Sequence, residues 1–220
     1  MLEGNRLSSA EAPPLRLVAL GYFPLIFLAG GSLLAWWAQS FALALAWLYL
    51  LPPLLCRLVL ALSGSPETAA AGPDDPAYLR WWLLTQLQMP FNRLGVLEEL
   101  LRLIPGGYAL WLNLWGSSVS PFAFWSRSVL ISERYLVRVG RGAVFGAYSG
   151  LAGHLVIRGG DGRMRLTVAP VVVEPGAIVG IRAGLGPGCR LFAGEVLPAN
   201  RLLPPFTGWR EGRKVRLGAA

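Results

Sequence analysis

The sequence is short of charge, and residues 17–56 include no charged side chain at all. Only 15% of the 220 residues are charged, 54% are hydrophobic, and the mean hydropathy is +0.50. The uncharged run is long enough for two bilayer crossings, because one helix needs about 20 apolar residues. A secretory signal fits poorly, since its apolar core has only about 7–15 residues. We therefore predict a membrane-inserted protein.

Histidine and cysteine are also scarce. The two cysteines are Cys56, in the apolar run, and Cys189, so we do not expect a disulfide between them. No nucleotide-binding or zinc-ligand spacing occurs, and we expect no metal. His154 is the single histidine, so any Ser–His arrangement would have to use it.

The charge that is present is mostly arginine, with a net charge of +8 and a pI near 10.3. Such a balance suits nucleic acid, anionic lipid or a phosphorylated cofactor. We do not expect nucleic acid, because no basic patch alternates with aromatic residues on a soluble segment. The arginines are expected at lipid headgroups and at a phosphate-binding site.

The first half of the chain divides by composition. We predict an N-terminal arm (1–16), a transmembrane helical hairpin (17–63), a linker (64–76), and amphipathic interfacial helices with a junction (77–125). Gln39 and Ser40 mark the hairpin tip, so both hairpin ends lie on one side of the membrane. Pro52 and Pro53 should bend or break its second helix.

Residues 77–104 mix apolar and polar side chains, and Pro90 is expected to divide them into two helices. The second helix places a row of apolar residues on one face: Leu94, Leu97, Leu101 and Ile104. This pattern favours helices that lie in the membrane interface. The alternative is a pair of soluble helices packed on the domain that follows.

The second half repeats every six residues. Aliphatic residues recur at Val173, Val179, Leu185, Leu191 and Leu197, and small residues recur at Ala177, Ala183 and Cys189. A period of six is neither helical nor two-fold, and it is typical of a β-solenoid. An earlier block continues the period through Val139, Phe145, Leu151 and Ile157, with 158–165 as an extruded loop. We predict a solenoid of about four coils over 126–208 and a basic tail over 209–220.

The stretch APVVVEPGAIVGIRAGLGPGCRLFAGEV resembles the closing coils of the hexapeptide acyltransferases. LLPPFTGWREGRKVR is similar to that family's exit from the solenoid, and SGLAGH fits its histidine before an irregular loop. The resemblance covers about 139–216. It implies a left-handed parallel β-helix (hexapeptide solenoid) with an N-terminal α-helical transmembrane or interfacial region, and a homotrimer. The sequence departs from the family pattern in three places: at Arg182, at Glu195, and over Gly208 to Arg210.

The resemblance implies that His154 is the general base of an acyl transfer from a coenzyme A thioester, such as acetyl-CoA. It also implies that Gly180, Arg210, Arg213 and Lys214 bind this donor. With a membrane segment present, the expected partners are membrane lipid and a lipid-linked or glycan acceptor, and the expected location is the cytoplasmic face of the inner membrane, with a multi-pass anchor.

Other roles remain open for the same residues. His154 and Gly180 could serve only the solenoid corners, and the tail could be merely solvated. The alternative function is a non-catalytic docking or assembly module of a membrane-bound biosynthetic complex.

Overall fold

The computed structural model describes residues 15–64, 67–160 and 162–217. Most of the predicted N-terminal arm (1–14) and the last residues of the tail (218–220) lie outside the described residues. The helices are α1 (Leu15–Gly21), α2 (Phe23–Trp37), α3 (Phe41–Tyr49), α4 (Leu51–Ser63), α5 (Pro76–Arg93), α6 (Val96–Arg102) and α7 (Gly107–Trp115).

The strands follow the same chain order. They are β1 (Thr68–Ala71), β2 (Ser118–Val119), β3 (Phe124–Trp125), β4 (Leu130–Ile131), β5 (Val137–Val139), β6 (Val144–Phe145), β7 (Gly150–Leu151), β8 (His154–Arg158), β9 (Met164–Val168), β10 (Val171–Val173), β11 (Ile178–Val179), β12 (Gly184–Leu185), β13 (Arg190–Leu191), β14 (Val196–Leu197), β15 (Leu202–Leu203), β16 (Thr207–Arg210) and β17 (Arg213–Arg216).

The helices α1 to α4 form the apolar hairpin. The continuous stretches Leu15–Trp37 and Phe41–Ser63 are long and apolar enough to cross a membrane, by length and composition. Ser40 begins α3 as its N-cap, because its hydroxyl oxygen accepts a hydrogen bond from Leu43 N–H at 3.3 Å. Pro52 and Pro53 stand at the start of α4, where missing N–H groups are tolerated, and the helix breaks at Leu50.

The helices α5 to α7 pack between the hairpin and the β-structure. Asp75 caps α5 by accepting from Ala77 N–H at 2.8 Å. The prediction that Pro90 divides this segment into two helices is wrong. The helix α5 runs through Pro90 to Arg93, and the break falls at Leu94 and Gly95. Proline removes only its own N–H from the helical ladder, and a buried Pro90 is held by packing.

The apolar face predicted for residues 94–104, in and around α6, does not form one buried surface. Leu94 and Ile104 are exposed, whereas Leu97 and Leu101 pack partly against the core. The fully buried residue of α6 is instead Glu98, which pairs with Arg134 and Arg102. Ion pairs with the β-structure therefore decide how α6 is oriented.

Residues 118–210, apart from the β8–β9 hairpin, form three parallel sheets, which we call the three-sheet coil. Sheet 1 has the order β2-β5-β10-β13-β16, sheet 2 has β3-β6-β11-β14, and sheet 3 has β4-β7-β12-β15. The chain visits the three sheets in turn, so each strand pairs with the strand of the next turn. Strand pairing begins at Ser118, earlier than the predicted start at residue 126, because Trp125 already belongs to the first turn and stacks on Phe145 at 4.2 Å.

The six-residue period describes the interior correctly. The aliphatic positions of the second block are at most 2% exposed, and the small positions at most 1%: Val173, Val179, Leu185, Leu191, Leu197, Ala177, Ala183 and Cys189. Neighbouring turns align these residues directly, as Val139 with Val173 and Val173 with Leu191. The interior is thus built of stacked rows of aliphatic side chains.

Ile157 is the exception, since it is 48% exposed and does not continue the interior row. It lies in β8, which leaves the coil and pairs antiparallel with β9. The predicted loop of 158–165 is therefore the end of a longer hairpin. The linker strand β1 adds a third strand to it, with Thr68 opposite Val168.

The basic tail is also structured, because β17 pairs antiparallel with β16. Glu195 is explained by this hairpin. Its carboxylate accepts hydrogen bonds from Glu211 N–H at 2.7 Å and Gly212 N–H at 3.2 Å, which ties the turn to the last full coil. An acidic side chain at a position where the family pattern has a small residue thus has a structural role.

Candidate active site

One corner of the three-sheet coil departs from the six-residue spacing in two successive turns. The successive interior positions Ile131 and Val139, where the first turn passes into the second, are eight residues apart, whereas Leu185 and Leu191 in later turns are six apart. In the second turn the chain leaves the coil after Leu151 to form the β8–β9 hairpin. Because successive turns stack, the two insertions are neighbours.

These insertions bring Glu133 and His154 together. His154 Nδ1 lies 2.5 Å from Glu133 Oε1, and the other oxygen accepts from Gly153 N–H at 2.8 Å. The Glu133 side chain is 1% exposed and the His154 side chain 30% exposed. A carboxylate facing Nδ1 favours a proton on that nitrogen, which leaves the lone pair on Nε2. The imidazole is therefore oriented with one nitrogen available to a substrate.

The helix α5 supplies a third group to this corner. The ring of Trp81 lies 4.9 Å from the His154 ring, centroid to centroid, and its Nε1 lies 3.5 Å from Glu133 Oε1. Trp81 is itself buried and packs against Tyr78 and Trp82. A helix of the same chain thus packs against the imidazole.

A buried polar network holds the segment that carries Glu133. The next residue, Arg134, donates from Nε to Glu98 at 2.6 Å and from Nη1 to Asn92 at 2.8 Å, and its backbone N–H donates to Gln88 at 2.7 Å. Its side chain is only 2% exposed. Removing one partner of such a pair leaves an uncompensated charge, which costs about 3–5 kcal/mol. The segment is therefore strongly fixed on α5 and α6.

Glu98 is shared between two arginines. Arg102 also pairs with it at 3.1 Å, and the Tyr108 hydroxyl donates to the same carboxylate at 3.0 Å. Burial and then the charge of Glu98 raise the pKa of Tyr108, so this hydroxyl stays neutral and can donate. The network is balanced by two carboxylates, since Arg102 also contacts Glu99.

A cavity of about 680 Å³ lies between α5, α6 and the first turn of the coil. Its wall includes Met89, Asn92 and Arg93 on the helices and Leu130 and Ser132 on the coil. The volume suits a small ligand or part of a larger one. Ser132 N–H donates to Leu151 O at 3.0 Å, so the cavity wall adjoins the corner that carries Glu133 and His154.

Gly180 lies at a close approach between turns. A Cβ atom there would stand 2.6 Å from both Leu197 O and Ala199 N in the next turn. Stacking of the coil therefore accounts for glycine at this position. Contact with a donor substrate stays a prediction for Gly180.

The three predicted cations of the tail lie on the β16–β17 hairpin and are exposed. Arg210 and Arg213 are opposite each other, and both approach Glu211, at 3.7 and 3.2 Å. Lys214 is opposite Trp209. With Arg216, which is also exposed, the hairpin presents four cations and one carboxylate to solvent, and a phosphate group fits this arrangement.

The tail does not adjoin His154. Strand β5 directly follows the corner that carries Glu133, the partner of His154. Strand β16 lies three strands from β5 in sheet 1, which is about 14 Å at roughly 4.8 Å per strand. The structure thus brings His154, Glu133 and Trp81 together, and leaves the tail cations at the far end of the coil.

Glu133 and Trp81 were not among the residues predicted from the sequence. The two extra residues between Ile131 and Val139 were a signal for Glu133, because they interrupt the period just before the interruption at His154. For Trp81 the sequence has no such signal, since α5 meets the corner only through tertiary packing.

Comparisons with known proteins give distant likenesses. No family model matches the chain, and no curated protein does. The similar solved structures include a hexapeptide-repeat acetyltransferase from Vibrio cholerae, with 15% identity, a TM-score of 0.34, and coverage of 56% of this chain and 86% of that one.

Two serine acetyltransferases are also similar. The one from Neisseria gonorrhoeae has 13% identity and a TM-score of 0.21, and the match covers 94% of this chain and 67% of that one. Isoform 3 from Entamoeba histolytica, solved with cysteine, has 8% identity and a TM-score of 0.20, with coverage of 91% and 84%. At these scores the likenesses support no inference about the reaction, which has to come from the residues of this chain.

Proposed function

We propose that the protein is a membrane-attached acyltransferase, and more narrowly an acetyltransferase. It moves an acyl group from a coenzyme A thioester to a hydroxyl or amine of a lipid-linked or membrane-proximal acceptor, including a glycan. The observation that carries the proposal is the contact of 2.5 Å between Glu133 and His154. A scaffold does not need a buried carboxylate directed at the only histidine of the chain.

In this mechanism His154 is the general base. Nε2 takes the proton of the acceptor hydroxyl or amine while its oxygen or nitrogen attacks the thioester carbonyl. The new carbon–oxygen or carbon–nitrogen bond forms, the carbon–sulfur bond breaks, and the imidazolium returns the proton to the leaving thiolate. Glu133 stabilises the imidazolium and keeps Nδ1–H facing itself.

The donor is held at both of its ends. The cations Arg210, Arg213 and Lys214 meet the phosphates, because arginine binds phosphate through two N–H groups and lysine as a point charge. The thioester lies at the His154 corner. A separation of about 14 Å along sheet 1 suits a long donor whose phosphates and thioester are at opposite ends.

The acceptor approaches through the cavity between α6 and the first turn. Its wall reaches Ser132, which directly precedes Glu133, and includes the exposed cation Arg93 and the apolar Leu130. This lining suits an amphiphile with an anionic group. Attachment to a membrane raises the local concentration of such an acceptor at the site.

Three further parts of the proposal concern assembly and location. The three-sheet coil is a left-handed hexapeptide β-helix, and it forms a homotrimer. An outward apolar row on sheet 2, at Phe124, Val144, Ile178 and Val196, supports self-association. The coil lies on the cytoplasmic face of the inner membrane, because coenzyme A is a cytoplasmic solute.

The alternative is a non-catalytic docking module. A substitution of His154 distinguishes the two functions, because only the acyltransferase needs this side chain for activity. The acceptor is identified first. Mass spectrometry of lipids and glycans from a deletion strain should show one species that is lighter by one acyl group. With that acceptor, His154→Asn should fold and bind coenzyme A but lose about 10²–10⁴-fold in turnover, the contribution of a positioned base. Full acyl transfer by His154→Asn would favour the docking module.

A further inference from the structure

The apolar hairpin is only partly free of contacts with the rest of the protein. At its base, Leu17 O accepts from Trp82 Nε1 at 2.9 Å and Ser63 O accepts from Arg80 Nη1 at 2.5 Å. Cys56, in the middle of α4, is fully buried, with its sulfur 3.7 Å from Trp115 O. Thus α1 and α4 lie against α5 and α7 rather than standing free.

Contacts with the helical layer continue up to Tyr49. Its hydroxyl donates to Leu97 O at 3.0 Å, its carbonyl accepts from Trp111 Nε1 at 2.9 Å, and its ring lies 5.8 Å from Phe91. Leu97 belongs to α6, and α6 lies directly on the first turn of the coil through Arg102. One helix, about 10 Å thick, therefore separates Tyr49 from the coil.

Polar groups are exposed close to this point. Asn92 and Arg93 directly follow Phe91, and both are exposed. A charged side chain in the centre of a bilayer costs at least about 2.5 kcal/mol. A hydrocarbon layer that begins on the tip side of Tyr49 leaves both side chains outside it.

Little of the hairpin projects beyond that boundary. The helix α3 (Phe41–Tyr49) has nine residues, about 14 Å at roughly 1.5 Å per residue. On α2, Phe27 faces Trp47, with rings 5.5 Å apart, and from there to Trp37 the helix extends about 16 Å. Both lengths are near half of a hydrocarbon core of about 30 Å.

The tip and α4 suit this shallow position. At the tip, Gln39 Nε2 donates to Trp36 O at 2.6 Å and Ser40 Oγ accepts from Leu43 N–H, so polar groups there have partners within the tip. The helix α4 exposes a stripe of leucines at every fourth position, opposite its buried face: Leu54, Leu58 and Leu62. A helix of this kind lies in the plane of the interface.

We propose that α2 and α3 form a re-entrant hairpin, which enters one leaflet of a lipid bilayer and returns on the same side, while α4 lies in the interface. The partner of this surface is lipid, and the chain does not cross the membrane. This differs from the two crossings expected from the uncharged run. The inference rests on the membrane attachment proposed above and is independent of acyl transfer.

The test uses cysteine variants of the full chain in vesicles of phosphatidylcholine and phosphatidylglycerol. Ala38→Cys marks the tip, Ala61→Cys the end of α4, and Ala199→Cys the coil, and all three alanines are exposed. The native Cys56 and Cys189 are fully buried and give the background. Flotation of the wild type with the vesicles is measured first, and failure to float would refute the attachment itself.

If the hairpin is re-entrant, a charged maleimide added outside intact vesicles or enclosed within them should not modify Ala38→Cys. After addition of detergent the same cysteine should react. Ala199→Cys reports which side carries the coil. A spin label at residue 38 should collide with oxygen and not with a soluble nickel chelate, and one at residue 61 should be at headgroup depth. Modification of Ala38→Cys from the side opposite Ala199→Cys would show a crossing, and modification from the same side would show a peripheral hairpin. Either result overturns the inference.

Discussion

Replacement of Glu133 by glutamine tests the corner directly, because it removes the charge and keeps the size and shape of the side chain. The carboxylate accepts from Gly153 N–H at 2.8 Å and faces His154 Nδ1 at 2.5 Å. In Glu133→Gln the amide oxygen keeps the bond to Gly153, so the amide NH₂ faces Nδ1. An NH₂ group there favours the tautomer with its proton on Nε2, and that tautomer cannot accept a proton from the acceptor.

The expected loss in kcat is about 10²–10⁴-fold, the contribution of a positioned general base, because the wrong tautomer takes the base out of action. This corresponds to about 2.7–5.5 kcal/mol of transition-state stabilisation. The KM values should change little, because Glu133 is 1% exposed and does not line the cavity. The double variant with His154→Asn should be no slower than His154→Asn alone, since the two residues act as a unit.

The assay is release of the coenzyme A thiol, measured with kcat and KM separated and with thermal unfolding recorded for each variant. Glu174→Gln is the matched control. Glu174 is also a carboxylate of the coil, and it pairs with Arg190 and accepts from Ala193 N–H at 2.8 Å. It should keep its activity. An unchanged kcat in Glu133→Gln, or equal losses in both variants, would refute the role of Glu133.

Three other predictions concern the coil and its tail. Val179→Asp should prevent folding, because Val179 is fully buried and a buried unpaired charge costs several kcal/mol, against a total free energy of unfolding near 5–15 kcal/mol. Arg182 is exposed, so Arg182→Ala should have only a small effect. Equal thermal stability of the two variants would show that the six-residue register is wrong. Arg213→Ala should raise the KM for acyl-CoA several-fold and leave kcat nearly unchanged, and it should not affect turnover of acyl-pantetheine thioesters, which carry no phosphate. An effect on kcat alone would contradict a phosphate contact. Burial raises the pKa of Cys189, so its thiolate forms only at higher pH. A disulfide reagent should therefore react with Cys189 only after unfolding. Rapid reaction of Cys189 in the folded protein at neutral pH would contradict its burial.

The interior of the coil followed from the sequence because it depends on a local rule. A position such as Val179 points inward in every turn that keeps six residues between corners, so the period alone assigns it. The same rule gave a wrong result for Ile157, where the chain leaves the coil and continues the spacing only by chance. Pro90 misled in a similar way, because packing keeps α5 continuous through it.

The site depended on contacts between distant residues, which no period describes. His154 stood out as the single histidine, but Glu133 meets it only because two successive turns have insertions at the same corner. Trp81 reaches this corner through the packing of α5 on the coil. Sequence determined which residues face inward and which segment is apolar, since both follow from spacing and composition. Tertiary structure decided the partners of His154 and how much of the hairpin projects, because both depend on which elements pack against each other.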